Sequence, residues 1–247
     1  LPVSKLDENS QVNRFIKLYL QLKEVGINLQ PAFLISVCDE YSMKNKRIKF
    51  KKDLDINLSA YKHLISAIPE VDCLIYISGI GGVYQEEKQR RGFGYYFDRI
   101  NLAVETFKHA KMIFSDTSGI LNPKELDKIL KWSQFNVDRF MMHFHNNPLL
   151  SAEKDMKRIL KNIIVSLSKG IQHFDVCSFN CKSNPLINSD TAKRSGNLSN
   201  IIFYQIAELL DVPIGYHKNY IERKKAVAQI CYAKWKIENK TKLDCEE

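Results

Sequence analysis

Short apolar or β-branched runs alternate along this chain with longer stretches of helical periodicity, and that alternation restricts the fold more than any other feature. Residues 32–37 (AFLISV), 73–77, 112–114, 139–143 and 173–177 each read as a short buried strand. Helical patterns fill the intervals: 12–25, with Phe15, Leu18, Leu22 and Val25 on one face and Gly26 as its stop, then 58–68, 95–110, 151–169, 198–210 and 223–235. Asn122, Pro123 and Glu125 supply a cap, a first-turn proline and a capping-box acid for one more helix. Repeated strand–helix units of this kind build a parallel sheet covered by helices.

At 247 residues the chain fits one α/β domain, with residues 237–247 as a charged tail. Its hydrophobic fraction of 45% and charged fraction of 26% are those of an ordinary globular protein. No run approaches the roughly 18 uninterrupted apolar residues that a membrane span requires. The opening residues carry no apolar signal core, so the expectation is a cytoplasmic protein without a membrane partner. The net charge of +9 is spread along the chain instead of gathered in an arm, which argues against nucleic acid as a partner. Six scattered cysteines point to reduced thiols; Cys177 and Cys181 stand four apart, but no second pair completes a metal site. A KQRR run at residues 88–91, beside Gly92 and Gly94, reads as a solvated loop, with phosphate or carboxylate binding as the sharper alternative.

His143 and His145 stand two apart on a predicted strand, so both side chains point to one side and Phe144 to the other. In a barrel that side is the interior, and at the C-terminal strand end two converging imidazoles are ready metal ligands. Asp116 has the same placement one unit earlier and is a candidate for orienting a substrate hydroxyl or transferring a proton, although an Asp before Thr-Ser-Gly also commonly makes local turn bonds. Asn197 sits at the start of a predicted helix, where it can serve as an N-cap or offer a carbonyl oxygen to a cation. Such mixed ligands suit Mn2+, Mg2+ or Zn2+.

The order of FSDTSGILNP, MMHFHNN, HFDVCSF and KRSGN resembles the second half of the metal-dependent aldolase and lyase superfamily, which includes 3-hydroxy-3-methylglutaryl-CoA (HMG-CoA) lyase, isopropylmalate and homocitrate synthases, and 4-hydroxy-2-oxovalerate aldolase. The resemblance covers roughly residues 112–210, with an insertion after Pro148. It implies an α/β fold of the TIM (β/α)8 type and a divalent metal held by His143, His145 and Asn197. It further implies Asp116 as active-site acid and Asp175 as a structural acid. The implied reaction forms or cleaves a carbon–carbon bond beside a carbonyl, on a 2-oxo acid or an acyl-CoA, through a metal-stabilised enolate.

The chain departs from that pattern in three ways. The family's opening Arg-Asp pair is missing, and the nearest candidate, Asp39, follows a Cys and lies too few strands before Asp116. No cysteine stands in the segment 184–193, which favours an aldolase or a Claisen-type acyltransferase at least as much as an acyl-CoA lyase. A lysine-rich helix follows the histidines, with Met156, Ile159, Ile163 and Leu167 as its expected buried face. Five predicted strands where a closed barrel has eight imply a barrel incomplete at its N-terminal end, or a diverged relative that has lost the site. The rival expectation is therefore a catalytically inactive barrel that binds or scaffolds. The protein is expected to act as a homo-oligomer or to pair with a homologous barrel subunit.

Overall fold

The computed structural model describes residues 11–27, 29–132, 137–147 and 149–176. In chain order they form α1 (Gln11–Glu24), β1 (Ala32–Ser36), α2 (Asp39–Lys46), α3 (Phe50–Ala67), β2 (Leu74–Ser78), α4 (Gln85–Arg91), α5 (Phe93–Thr106), β3 (Lys111–Asp116), α6 (Pro123–Leu130), β4 (Phe140–Phe144), α7 (Ala152–Ser168) and β5 (His173–Phe174). The five strands make one parallel sheet in the order β1-β2-β3-β4-β5, each paired with its sequence neighbour. Parallel neighbours require helical crossovers, and a sheet that always steps in the same direction is the wall of a β/α barrel.

The register sorts the side chains into two unlike faces. Ile35, Ile77, Phe114, Met142 and Phe174 lie in line across the sheet. The first four are fully buried, packed under helix residues such as Leu54, Tyr96, Ile100, Phe107, Ile129, Ile159 and Ile163. The opposite face carries the row Ser36, Ser78, Ser115 and His143 at the C-terminal strand ends, with Leu34, Tyr76, Ile113, Met141 and His173 one layer below. The apolar face holds the fold together, at about 1.5–3 kcal/mol for each large side chain taken from water. The polar row carries the hydroxyls and the imidazole of the sheet.

The strand ends are held by close backbone approaches. Gly119 (φ +68°) lies so near the backbone of Asn146 and Asn147 that an added Cβ would sit 2.5 Å from the Asn146 carbonyl carbon, and one on Gly81 would sit 2.6 Å from Leu121 Cα. A side chain at Gly119 would force the loops after β3 and β4 apart, and one at Gly81 the loops after β2 and β3. Ser118 Oγ donates to the Val83 carbonyl (2.8 Å), and Gly79 N donates to Thr117 Oγ1 (2.8 Å), so the loop after β3 is stitched to the loop after β2. Asn122 and Glu125 form the expected capping box at the start of α6, and Lys88 reaches from α4 to Glu125 (2.6 Å).

Several expectations need correction. The KQRR run is helical, not a loop: Lys88 is committed to Glu125 and the Ile120 carbonyl, and Arg90 pairs with Glu40. The helix expected over 58–68 starts at Phe50, preceded by the unexpected α2, whose sequence DEYSMKNK has no apolar periodicity. Capping sustains α2: Cys38 Sγ accepts from Tyr41 N, and acidic residues open the helix while basic ones close it. In α1 the packed face is Val12, Phe15, Ile16 and Tyr19, against Leu64, Ile68 and Val71, while Leu18 and Val25 are exposed. Met156 is also exposed; the buried face of α7 is Asp155, Ile159, Asn162, Ile163 and Ser166, a stripe that includes three polar residues. Cys38 and Cys73 are free and buried, as expected of scattered thiols. Burial and the neighbouring Glu87 push the Cys38 thiol upward. The Cys177–Cys181 pair, the helices expected over 198–210 and 223–235, and the charged tail lie outside the described residues.

The polar stripe of α7 centres on Arg158, whose five N–H donors are all used: on Asp116 Oδ2 (2.8 Å), the Leu121 carbonyl (3.4 Å), the His145 carbonyl (2.6 Å) and twice on Asp155 Oδ1. Removing one partner of a buried pair leaves charge without compensation. Arg158→Met should therefore lower the unfolding free energy at neutral pH by about 3–5 kcal/mol, as read from urea denaturation. A loss below about 1 kcal/mol, the range of exposed pairs, would show that the cluster is not integral to the fold.

Candidate metal centre

β4 delivers both histidines to the polar face because alternation turns Phe144 inward to the helices and His143 and His145 the other way. His143 and His145 are 5% and 2% exposed, so their contacts are made out of bulk water. Their Nε2 atoms stand 2.9 Å apart, with ring centroids 4.7 Å apart and planes inclined by 70°. His143 Nδ1 faces two acceptors of one residue, the Asp175 carbonyl (3.0 Å) and its carboxylate Oδ2 (3.1 Å). Neither acceptor carries a proton, so Nδ1 of His143 holds a ring hydrogen and Nε2 is turned to His145. The two Nε2 atoms share one hydrogen bond.

Asp175 is in turn held by the Tyr76 hydroxyl, which donates to Oδ2 (3.1 Å), while the Tyr76 ring stands edge-on to His143 at 5.6 Å. Burial pushes the Asp175 carboxyl up, but the hydrogen bond and charge of His143, the Tyr76 hydroxyl and the charge of His145 outweigh it and hold the group below the usual carboxylate range. An imidazole whose far nitrogen donates to a carboxylate is oriented and made more basic at its near nitrogen, which is the arrangement proteins use behind metal-ligating histidines. Two Nε2 atoms 2.9 Å apart lie within the spacing that two ligands of one cation adopt, given metal–nitrogen bonds of about 2.0–2.1 Å. The residues present thus fit a divalent ion, with His143 and His145 as ligands and Asp175 behind them.

The other predicted residues are placed differently. Asp116 pairs with Phe144 in the register and therefore faces the helix layer, away from the histidine side. It is fully buried, and its oxygens are taken by Leu121 N (3.0 Å) and Arg158 Nη1 (2.8 Å). In these positions Asp116 fastens the loop after β3 to α7, and the structure does not bring it together with the imidazoles. Asn197 lies outside the described residues. Asp39 accepts from Phe50 N, the Tyr95 hydroxyl and Arg99 Nη2, each at 2.9 Å. Burial raises its pKa, yet Arg99, the Phe50 amide and Tyr95 prevail and bring it to about 2, so the carboxylate is a fixed anchor between α2, α3 and α5. Among the described residues, no group of three or more His, Cys, Asp or Glu side chains is arranged to hold a metal.

Sequence reasoning missed Tyr76 and Arg158. Tyr76 had a usable signal, a hydroxyl inside an apolar strand run (LIYIS), which must find a partner if buried. Arg158 is the one arginine in a helix otherwise basic through lysine, a choice that suits a bidentate or multiply bonded site.

Comparison with known proteins places this geometry in a fold. No protein-family model matches the chain, and no curated protein matches it by sequence. Solved structures do match. The HMG-CoA lyase from Bacillus subtilis superposes with a TM-score of 0.65 at 19% identity, over 90% of this chain and 67% of that one. The HMG-CoA lyase from Brucella melitensis gives 0.63 at 16%, over 87% and 71%. An HMG-CoA lyase from Acinetobacter baumannii, solved with coenzyme A and 3-methylmalate, gives 0.63 at 15% and is covered over 63% of its length by 85% of this chain. The chain therefore has the fold of a TIM-type barrel and spans about two thirds of the length of these lyases. No helix among the described residues is long and apolar enough to cross a membrane.

The hydrogen bonds behind His143 predict its tautomer. In nitrogen-15 imidazole NMR of the metal-free protein, His143 should show one tautomer, protonated at Nδ1, and Asp175→Ala should convert it to a mixture. A His143 already mixed in the wild type would contradict the assignment.

Proposed function

We propose that this protein is a divalent-metal-dependent carbon–carbon lyase or aldolase, or a Claisen-type acyltransferase, acting on a 2-oxo acid or an acyl-CoA. The observation that carries the reading is the pair of buried imidazoles with Nε2 atoms 2.9 Å apart, oriented by Asp175 at the C-terminal strand ends, where barrels of this type place their chemistry. The barrel fold it shares with HMG-CoA lyases, one of them solved with coenzyme A, supports the substrate class. Mn2+, Mg2+ or Zn2+ held by His143 and His145, with Asn197 as a further proposed ligand, would supply Lewis-acid polarisation of a substrate carbonyl.

The chain's own residues prepare that site. Asp175 keeps the proton of His143 on Nδ1, so that Nε2 is available without a change of tautomer. Tyr76 fixes the Asp175 carboxylate from below. Ser36, Ser78 and Ser115 line the same face beside His143, with the Ser36 and Ser78 hydroxyls donating to the Cys38 and Ile35 carbonyls. Asp116, as the proposed acid, would first have to leave Arg158, and its embedded placement favours support of the β3 loop over proton transfer.

A second reading is a catalytically inactive barrel that binds or scaffolds, as a homo-oligomer or beside a homologous barrel. It is favoured by the commitment of Asp39 and Asp116, acids at or just past the ends of β1 and β3, to Arg99 and Arg158.

Elemental analysis of the purified protein, supplemented in turn with manganese, magnesium and zinc, separates the two readings. The enzyme reading predicts about one ion per chain in the wild type and loss of at least about 90% of it in His143→Ala/His145→Ala, with the fold retained by circular dichroism. Metal absent from both proteins after supplementation would favour the inactive barrel.

A further inference from the structure

β1 is an edge strand among the described residues. A parallel strand directs the N–H and C=O of alternate residues to alternate sides. In β1 the odd-numbered positions serve β2: the Pro31 carbonyl accepts from Leu74 N (2.9 Å), and Val37 N donates to the Ser78 carbonyl (3.1 Å). The backbone groups of Ala32, Leu34 and Ser36 therefore face the outer edge. Exposed edges of this kind are templates for another strand.

Here that edge is occupied by side chains. The Leu34 carbonyl accepts from Lys46 Nζ and from Asn57 Nδ2 (3.4 Å), and Ser36 N donates to Asp53 Oδ2 (3.2 Å). The three side chains also bind one another: Asp53 Oδ1 accepts from Lys46 Nζ (2.8 Å) and from Asn57 Nδ2 (2.9 Å). Asp53 is 1% exposed. Burying a carboxylate and an ammonium is costly, and apolar residues of similar size would pack against a strand at least as well. What a Lys–Asp–Asn group provides that apolar residues cannot is a donor and an acceptor matched to a strand edge. Beside the same edge lies a groove of about 430 Å³ in which Val12, Phe15, Phe33 and Leu64 stand next to Lys46 and Asn57 of this group.

We infer that Lys46, Asp53 and Asn57 form a side-chain plug that takes the place of a neighbouring strand at the outer edge of β1 and keeps that edge from pairing with a second copy of this chain. The plug lies on α2 and α3, away from the imidazole pair, so its removal tests the edge and not the proposed chemistry.

The test uses the full chain with Asp53→Ala, and with Asp53→Leu as a second variant that keeps the volume of the side chain should the first not fold. In both, exchange of the Ser36 amide relative to that of Val37 should rise about tenfold or more over wild type. Sedimentation velocity should show an association state that climbs with concentration beyond that of the wild type. Adding Leu34→Pro, which removes an outward N–H and is tolerated on an edge strand, should return each variant to wild-type sedimentation. Folded variants that sediment as the wild type does at every concentration would overturn the inference. So would association that Leu34→Pro leaves unchanged.

Discussion

The placement of the candidate site depends on Arg158. Its guanidinium joins three segments that carry no mutual backbone pairing beyond the ends of their strands: Asp116 closing β3, the His145 carbonyl just past β4, and Leu121 at the entrance to α6. Asp155 completes the cluster and accepts from Asn147 N (3.0 Å), holding the chain directly after the histidines. Burial outweighs the charge of Arg158 and the Asn147 amide at Asp155, so that carboxyl sits above its ordinary range. A planar cation with five fixed donors can satisfy three chain segments at once; a lysine cannot. With Gly119 pressed against Asn146, the segment bearing His145 has almost no freedom to drift from His143.

The two faces of the sheet divide the work. Below the Asp116–Phe144 row, the helix-facing side is a continuous apolar layer that resists rearrangement because it is close-packed. The other face has serines in line with His143, and the Ser36 and Ser78 hydroxyls bond backbone carbonyls at the strand ends. The same economy appears at the edge, where helix side chains close off a strand that the described residues leave without a second neighbour.

Strand positions were legible because each is a short apolar run bounded by polar turns, and the capping box at Asn122 announced α6 to the residue. The histidine pair was legible because a period of two places His143 and His145 on one side. The same period also turns Asp116 to the other side, since it pairs with Phe144, but the register between β3 and β4 cannot be read from one strand alone. α2 was illegible because caps and charges hold it, not an apolar stripe. The buried face of α7 differs from the apolar stripe at Met156 because Asp155, Asn162 and Ser166 are buried polar residues, which periodicity counts as solvent-facing; Asn162 bonds the Leu121 carbonyl, 41 residues away. Arg158 belongs to the same class: its partners lie as far as 42 residues away in the chain.

The central claim is that His143 and His145 act as one ligand pair. Pulsed electron paramagnetic resonance of the manganese-loaded protein, grown with nitrogen-15 histidine, tests it directly. Couplings from two imidazole nitrogens are expected on each manganese ion, both absent in His143→Ala/His145→Ala. A manganese signal without histidine couplings, or one that the double substitution leaves unchanged, would contradict it.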